Sequence, residues 1–402
     1  MRNWHGDVMR IQFRPIIVVP LIGALLVGVG IVYLTTSTST PTSAPARRAE
    51  SASPTISFGT PEIATRPAPT TAPSPKAKAA ATTLDFGIAD PAFVGEPAAM
   101  QATQLAAMKA IGITAIRLDA NWDSVQYGGP GTFDWSQLDQ AVGLARARGM
   151  SVDLIIDGCP PWAALAGTSG GASPVPASPV EYAIWAAAVA ARYGPKGVGT
   201  FEIWNEPNSA YFWPPRANPS AYTADLVAAY SAIKAVDRSA FVISGGLAPE
   251  LTDGFDISAI DFLKAMYADG AKGSFDALGY HAYSSPALPN TYEPWSAWSQ
   301  MAQTSPSIRS VMASNGDSRT PVWITEFGAP SNGPGGVGEA AQASALIQAI
   351  TDAKTTRWIG ALYMYTWQDQ GTDPGNNEDW FGLLTAGGSP KPAYAEVAAT
   401  IK

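Results

Sequence analysis

Along residues 84–402, short apolar runs alternate with longer stretches of helical spacing, eight times over. The runs are LDFGIA (84–89), ITAIRL (113–118), SVDLII (151–156), TFEIWN (200–205), AFVISG (240–245), FDALGYH (275–281), PVWITEF (321–327) and IGALYMYTW (359–367). Several carry apolar side chains on both faces, as strands covered on both sides of a parallel sheet require. Helical patterns follow at 98–112, 135–149, 178–194, 219–236, 257–270, 305–316, 338–354 and 392–402, many opening on Ser, Pro or Asp or closing on Gly. Eight such units in about 300 residues predict an α/β chain folded as a (β/α)8 barrel. A doubly wound open sheet would want a glycine-rich turn after its first strand, and FGIADP offers none.

The N-terminus follows another pattern. Ile16 to Leu34 run without a charge behind Arg2, Arg10 and Arg14. The run is long enough to cross an apolar layer of about 30 Å, with the basic side inward. The expected organisation is a cytoplasmic stretch (1–15), a transmembrane signal anchor (16–34), a Pro/Thr/Ser/Ala-rich linker (35–83) and the barrel (84–402) outside the cell membrane. Cleavage as a signal peptide, which would release the barrel, is the alternative. The linker composition cannot bury enough apolar surface to order itself.

Composition removes several chemistries. Of 402 residues only 14% are charged, the net charge is −8 and the pI is near 4.9, which argues against a nucleic-acid partner. Cys159 is the single cysteine, and His5 and His281 are the two histidines. That excludes an internal disulfide and a cysteine zinc site, and no metal or cofactor is expected. The acidic segment Asp369 to Trp380 lacks the ordered oxygen spacing of a calcium loop.

In a barrel of this kind, chemistry sits where strands end. The fourth strand ends in Trp204-Asn205-Glu206-Pro207-Asn208 and the seventh in Ile324-Thr325-Glu326-Phe327-Gly328. Glu206 and Glu326 therefore face each other across one mouth. Two opposed carboxyls can cleave a glycosidic bond: one protonates the leaving oxygen, the other attacks or activates water. Asn205 can bind a sugar hydroxyl or cap its turn. Arg117, inside an apolar run, needs a carboxylate, either Glu326 or a core partner such as Asp119 or Asp153. Glu202 shares the face of Glu206 one layer deeper, as a buried partner for Arg117. Asp157 ends strand three and either contacts sugar or caps its turn.

WNEPN and ITEFG, in this order on strands four and seven, resemble the two signature sites of the clan A glycoside hydrolases. With Arg117, Asp119 and Trp122 after strand two, the chain looks most like family 39, with family 5 close behind. The resemblance spans essentially all of 84–402. It implies a retaining two-step hydrolysis with Glu206 as acid/base and Glu326 as nucleophile. It also implies site roles for His281 and Tyr283 in GYHAYS, although a lone histidine also serves as a core hydrogen-bonding residue. Trp367 matches the tryptophan that lies beneath the reacting sugar in the clan.

Tryptophans crowd the strand ends, among them Trp122, Trp162, Trp213, Trp295 and Trp298. Indoles such as Trp162 stack on the C–H faces of sugar rings, while part of the set, Trp204 included, packs the rim. The expected partner is a β-linked oligo- or polysaccharide outside the membrane. Transglycosylation, or a non-catalytic glycan-binding or envelope-organising barrel, would use the same scaffold. Sugar identity and linkage are not legible.

Overall fold

The structure, a computed structural model, describes residues 84–402. The segments expected at 1–15, 16–34 and 35–83 lie outside the described residues. Among those described, no helix is long and apolar enough to cross a membrane.

Eight parallel strands form the sheet: β1 (Asp85–Ala89), β2 (Ala115–Asn121), β3 (Ser151–Asp157), β4 (Thr200–Asn205), β5 (Phe241–Gly246), β6 (Leu278–His281), β7 (Val322–Phe327) and β8 (Ile359–Tyr365). Their order is β5-β4-β3-β2-β1-β8-β7-β6. Isolated bridges Ile243–Ala277 and Leu247–Tyr280 join the two edges, so the barrel is nearly closed. The seam is tight because Gly279 has no side chain; a β-carbon there would stand 2.3 Å from the Ser244 carbonyl oxygen.

The base of the barrel is a packed core. Trp323 and Tyr363 fill it between Ala89, Ala115, Ala277 and Ala361, large side chains set against small ones. A second apolar layer lies between strands and helices. There the helix Pro179–Tyr193 turns Tyr182 inward to donate to the Ile156 carbonyl, and Pro219–Val236 turns Tyr222 inward to donate to that of Ile203. Both helices start on a side-chain cap followed by proline, Ser178-Pro179 and Asn218-Pro219, which leaves no first-turn donor idle. Two phenols thus pin strand ends directly below the mouth.

The expected elements are all present, with shifted bounds. Two short helices, Trp122–Gln126 and Ala297–Ala302, were not expected. They are too brief for a periodicity of 3.6 to register. β2 runs on to Asn121, which lifts Asp119 and Asn121 to the mouth. β8 ends at Tyr365, two residues short of the expected Trp367.

Candidate active site

Arg117 is the hub. Buried to 4% exposure on β2, it donates through Nε to Glu202 Oε2 at 2.6 Å and through Nη2 to Glu202 Oε1 at 3.2 Å. Its Nη2 also donates to Asn205 Oδ1 at 2.8 Å, and its Nη1 to Glu326 Oε1 at 2.5 Å. Glu202 is fully buried and takes the Gly246 amide on Oε1 at 2.8 Å. The guanidinium is therefore fixed from below and presents one arm to each neighbouring strand end. Of the partners open to Arg117 in the sequence, Glu326 and Glu202 hold it. Asp153, fully buried, has neither carboxyl oxygen hydrogen-bonded.

β4 delivers Glu206 through a local distortion. Trp204 and Glu206 have φ of 69° and 44°, left-handed values that non-glycine residues hold only where the surroundings enforce them. The twist throws Trp204 outward, edge-on to Tyr182 and Trp213, with its indole donating to the Phe212 carbonyl. Asn208 locks the following turn: its amide donates to the Ala248 and Ile257 carbonyls and its oxygen accepts from the Ala248 amide.

His281 and Tyr283 complete the set. His281 Nδ1 stands 2.7 Å from Glu206 Oε1 and 3.6 Å from Glu326 Oε2. Tyr283 donates its hydroxyl to Glu326 Oε2 at 2.8 Å. One ligand atom each from Glu206, His281 and Glu326 lies within 4.8 Å of the others. This spacing would admit a cation, but Nδ1 is already engaged by Glu206 and the Arg117 charge adjoins Glu326.

The two glutamates differ in proton affinity. Burial, reinforced by the neighbouring Glu326 charge, pushes Glu206 well above the usual carboxyl range. Burial also opposes ionisation of Glu326. There the His281 ring, the Arg117 guanidinium and the Tyr283 hydroxyl outweigh burial, and the carboxyl sits below its ordinary value. Burial takes His281 down to about 4, so the ring is neutral at pH 7. The pair is thus set as one protonated acid and one carboxylate.

The remaining predicted residues fall into two groups. Asp157 lies at the end of β3 with Oδ1 buried and unbonded, raised by burial and by nearby Asp119. Trp162 stands edge-on to Trp122 and donates to the Gln126 carbonyl. Trp367 does not join the carboxylates: it is 1% exposed, packed on Tyr394 in the layer outside the strands. The aromatic that β8 brings to the site is Tyr365, which donates to Glu378 Oε2 at 3.0 Å. Burial raises Glu378 to about 8, and the charges of Glu326 and Glu206 add to the shift. Neither Tyr365 nor Glu378 stood out in the sequence. Glu378 sits in the acidic segment, where Asp379 closes the loop by accepting from the Asp373 amide and the Asn376 side chain.

A family model described as Cellulase (glycosyl hydrolase family 5) matches residues 80–366. Among solved structures, a family 39 glycoside hydrolase from the gut symbiont Bacteroides cellulosilyticus WH2 aligns at 23% identity, over 79% of this chain and 63% of its own, with a TM-score of 0.61. A monomeric β-xylosidase from Caulobacter crescentus CB15 aligns at 19% identity, over 78% and 66%, with a TM-score of 0.58. A GH5_18 protein from Streptomyces cattleya, in complex with GlcNAc, aligns at 17% identity over 79% and 80%, with a TM-score of 0.59. The present chain spans slightly less than two thirds of the length of the first two. At these identities the likeness concerns the fold. No curated protein matches the chain.

Proposed function

The chain belongs to the cellulase family of glycosyl hydrolases, family 5, and from that premise we propose that it cleaves β-glycosidic bonds with retention of configuration. Glu206 acts as acid/base and Glu326 as nucleophile. The observation that carries this reading is the spacing of the two carboxylates, with oxygens within 4.8 Å of each other. Retaining enzymes hold their carboxyl groups about 5–5.5 Å apart, and inverting enzymes about 6.5–9.5 Å, which leaves room for water.

In the first step Glu206 protonates the leaving oxygen while Glu326 attacks the anomeric carbon, so the C–O bond breaks as the glycosyl ester forms. In the second step Glu206, now a carboxylate, takes a proton from water as the water oxygen displaces Glu326. Arg117 and Tyr283 keep Glu326 anionic until attack and receive it again when it departs. Asn205, anchored by Arg117, offers its amide to the sugar hydroxyl beside the anomeric centre. The raised affinity of Glu206 supports its role as the proton donor at neutral pH.

The substrate class we infer is a β-linked oligo- or polysaccharide outside the membrane. The apolar run at 16–34 behind Arg2, Arg10 and Arg14 supports a tethered, extracytoplasmic barrel. The xylosidase among the structural neighbours, together with an exo-β-1,4-mannosidase from Opitutaceae bacterium strain TAV5, makes aryl β-xylosides and β-mannosides the first substrates to try. The test is proton NMR of the first-formed product from a panel of aryl β-glycosides. A β-anomer as the initial product supports the reading. An α-anomer would overturn retention, and no turnover with any glycoside or polysaccharide would overturn the activity.

A further inference from the structure

The two ring nitrogens of His281 have unlike surroundings. Nδ1 faces Glu206 at 2.7 Å and Glu326 at 3.6 Å. Nε2 is buried without a partner, and so is the hydroxyl of Thr325 on β7. The two orphans meet at one place. A β-carbon built on Gly246 would come 2.2 Å from His281 Nε2 and 2.6 Å from Thr325 Oγ1, so both atoms use the room that glycine leaves. A buried polar atom left unpaired costs about 1–3 kcal/mol, and a hydroxyl hydrogen turns to suit its neighbour.

We propose that Thr325 is a positioning residue: its hydroxyl, turned toward His281 Nε2, fixes the neutral imidazole with its proton on Nδ1 and thereby places the acid proton of Glu206 on Oε2. The proposal rests on the assignment of Glu206 as the acid and adds which of its oxygens delivers the proton.

A neutral imidazole has one N–H and one bare nitrogen, and the partner of one nitrogen decides the state of the other. The charged groups acting on the ring are Glu326, Arg117 and Glu202, with Glu206 in direct contact. With the proton on Nδ1, the ring donates to Glu206 Oε1, which becomes an acceptor only. The carboxylic proton is left on Oε2, free for the leaving oxygen. When it transfers, Glu206 becomes an anion still held by Nδ1–H. In the second step a proton from water returns to Oε2. The opposite tautomer would present a bare Nδ1, draw the acid proton onto Oε1 and tie it up there. The same Nδ1–H dipole also favours the anionic form of Glu326.

The chain has two histidines, His5 and His281, so the full chain with His5→Gln and ring-15N histidine leaves one imidazole to observe. Long-range proton–nitrogen spectra should find Nδ1 protonated and Nε2 bare. Thr325→Val should move the ring toward Nε2–H, and Thr325→Ser should restore the original pattern. In kinetics, Thr325→Val should lose about 10–100-fold in kcat on glycosides with poor leaving groups, and far less on dinitrophenyl glycosides that need no acid. A wild-type ring protonated on Nε2 overturns the proposal. So does a Thr325→Val variant with an unchanged ring and an unchanged dependence on leaving group. If the chain turned over no glycoside, the activity reading would fall while the ring spectrum would still decide the tautomer.

Discussion

The Tyr283 hydroxyl donates to Oε2 of Glu326 at 2.8 Å, on the opposite carboxyl oxygen from Arg117. Each oxygen of the proposed nucleophile thus has its own donor. This pairing lets a largely buried carboxyl stay below its ordinary proton affinity although burial pushes the other way.

Removing the phenol tests that balance. Tyr283→Phe leaves Arg117 as the remaining direct donor, so the Glu326 affinity for protons should rise. Catalysis needs Glu326 ionised, and its folded value is depressed. The acid limb of the rate profile should therefore move to higher pH, while the base limb, set by Glu206, should stay. A hydrogen bond to a charged group is worth about 1.5–3 kcal/mol, so kcat/KM should fall about 10–100-fold. An acid limb that stays in place would show that Tyr283 does not tune the nucleophile.

Glu206→Ala separates acid from nucleophile. Without a proton donor, glycosides with poor leaving groups should lose about 10²–10⁴-fold in rate. Dinitrophenyl glycosides should form the glycosyl-enzyme nearly as before, then stall, because the base of the second step is missing too. Added azide should release the stalled intermediate as a glycosyl azide of retained configuration. Equal losses on both substrate classes would remove Glu206 from the acid role.

How much of this was legible depends on what decides each feature. The strands were legible because burial on both faces writes an apolar run into the chain, as in ITAIRL and PVWITEF. Glu206 and Glu326 were legible because they end such runs in a fold that opens its mouth there. The hold of Arg117 was half legible: an arginine in an apolar run demands carboxylates, but only packing chooses Glu202 and Glu326 over Asp153. Glu378 was not legible, since nothing in an acidic loop marks which carboxyl turns inward. Nor was the end of β8. Side chains alternate along a strand, so leaving it at Tyr365 rather than Trp367 changes which aromatic faces the site.

The buried pair behind that loop bears on stability. Lys391 donates to Asp369 Oδ1 at 2.6 Å and also to Ser331 Oγ and the Trp380 carbonyl, with both charged side chains nearly inaccessible. Lys391→Met strands the Asp369 charge, and breaking a buried pair from one side costs about 3–5 kcal/mol. The melting temperature should fall by roughly 5–10 °C, and Lys391→Met/Asp369→Leu should recover part of the loss. A single variant as stable as wild type would mean that the pair does not brace the loop carrying Glu378.

Gly246→Ala should be far more damaging than its one methyl suggests. The new β-carbon would overlap His281 Nε2 and Thr325 Oγ1, and overpacking of this kind costs about 1–3 kcal/mol. His281 can relieve the clash only by moving its ring against Glu206. Activity should therefore fall further than stability, which parallel calorimetry and kinetics would reveal. A variant with normal kcat would show that the ring can shift without consequence.

The two aromatics at the end of β8 should divide cleanly. Tyr365→Phe removes the donor to Glu378, which then has both oxygens unbonded beside the carboxylate pair. The fold should hold, since the ring and its edge-on packing against Phe381 remain. Substrate binding should weaken, with KM up about 3–10-fold for the loss of about 1 kcal/mol of ordering. Trp367→Phe instead opens space against Tyr394 outside the strands, costing about 1–2 kcal/mol of stability with KM unchanged. Were Trp367→Phe to raise KM while leaving the melting temperature alone, the indole would belong beneath the sugar as the family resemblance implies, and the burial of Trp367 against Tyr394 would not describe the substrate-bound protein.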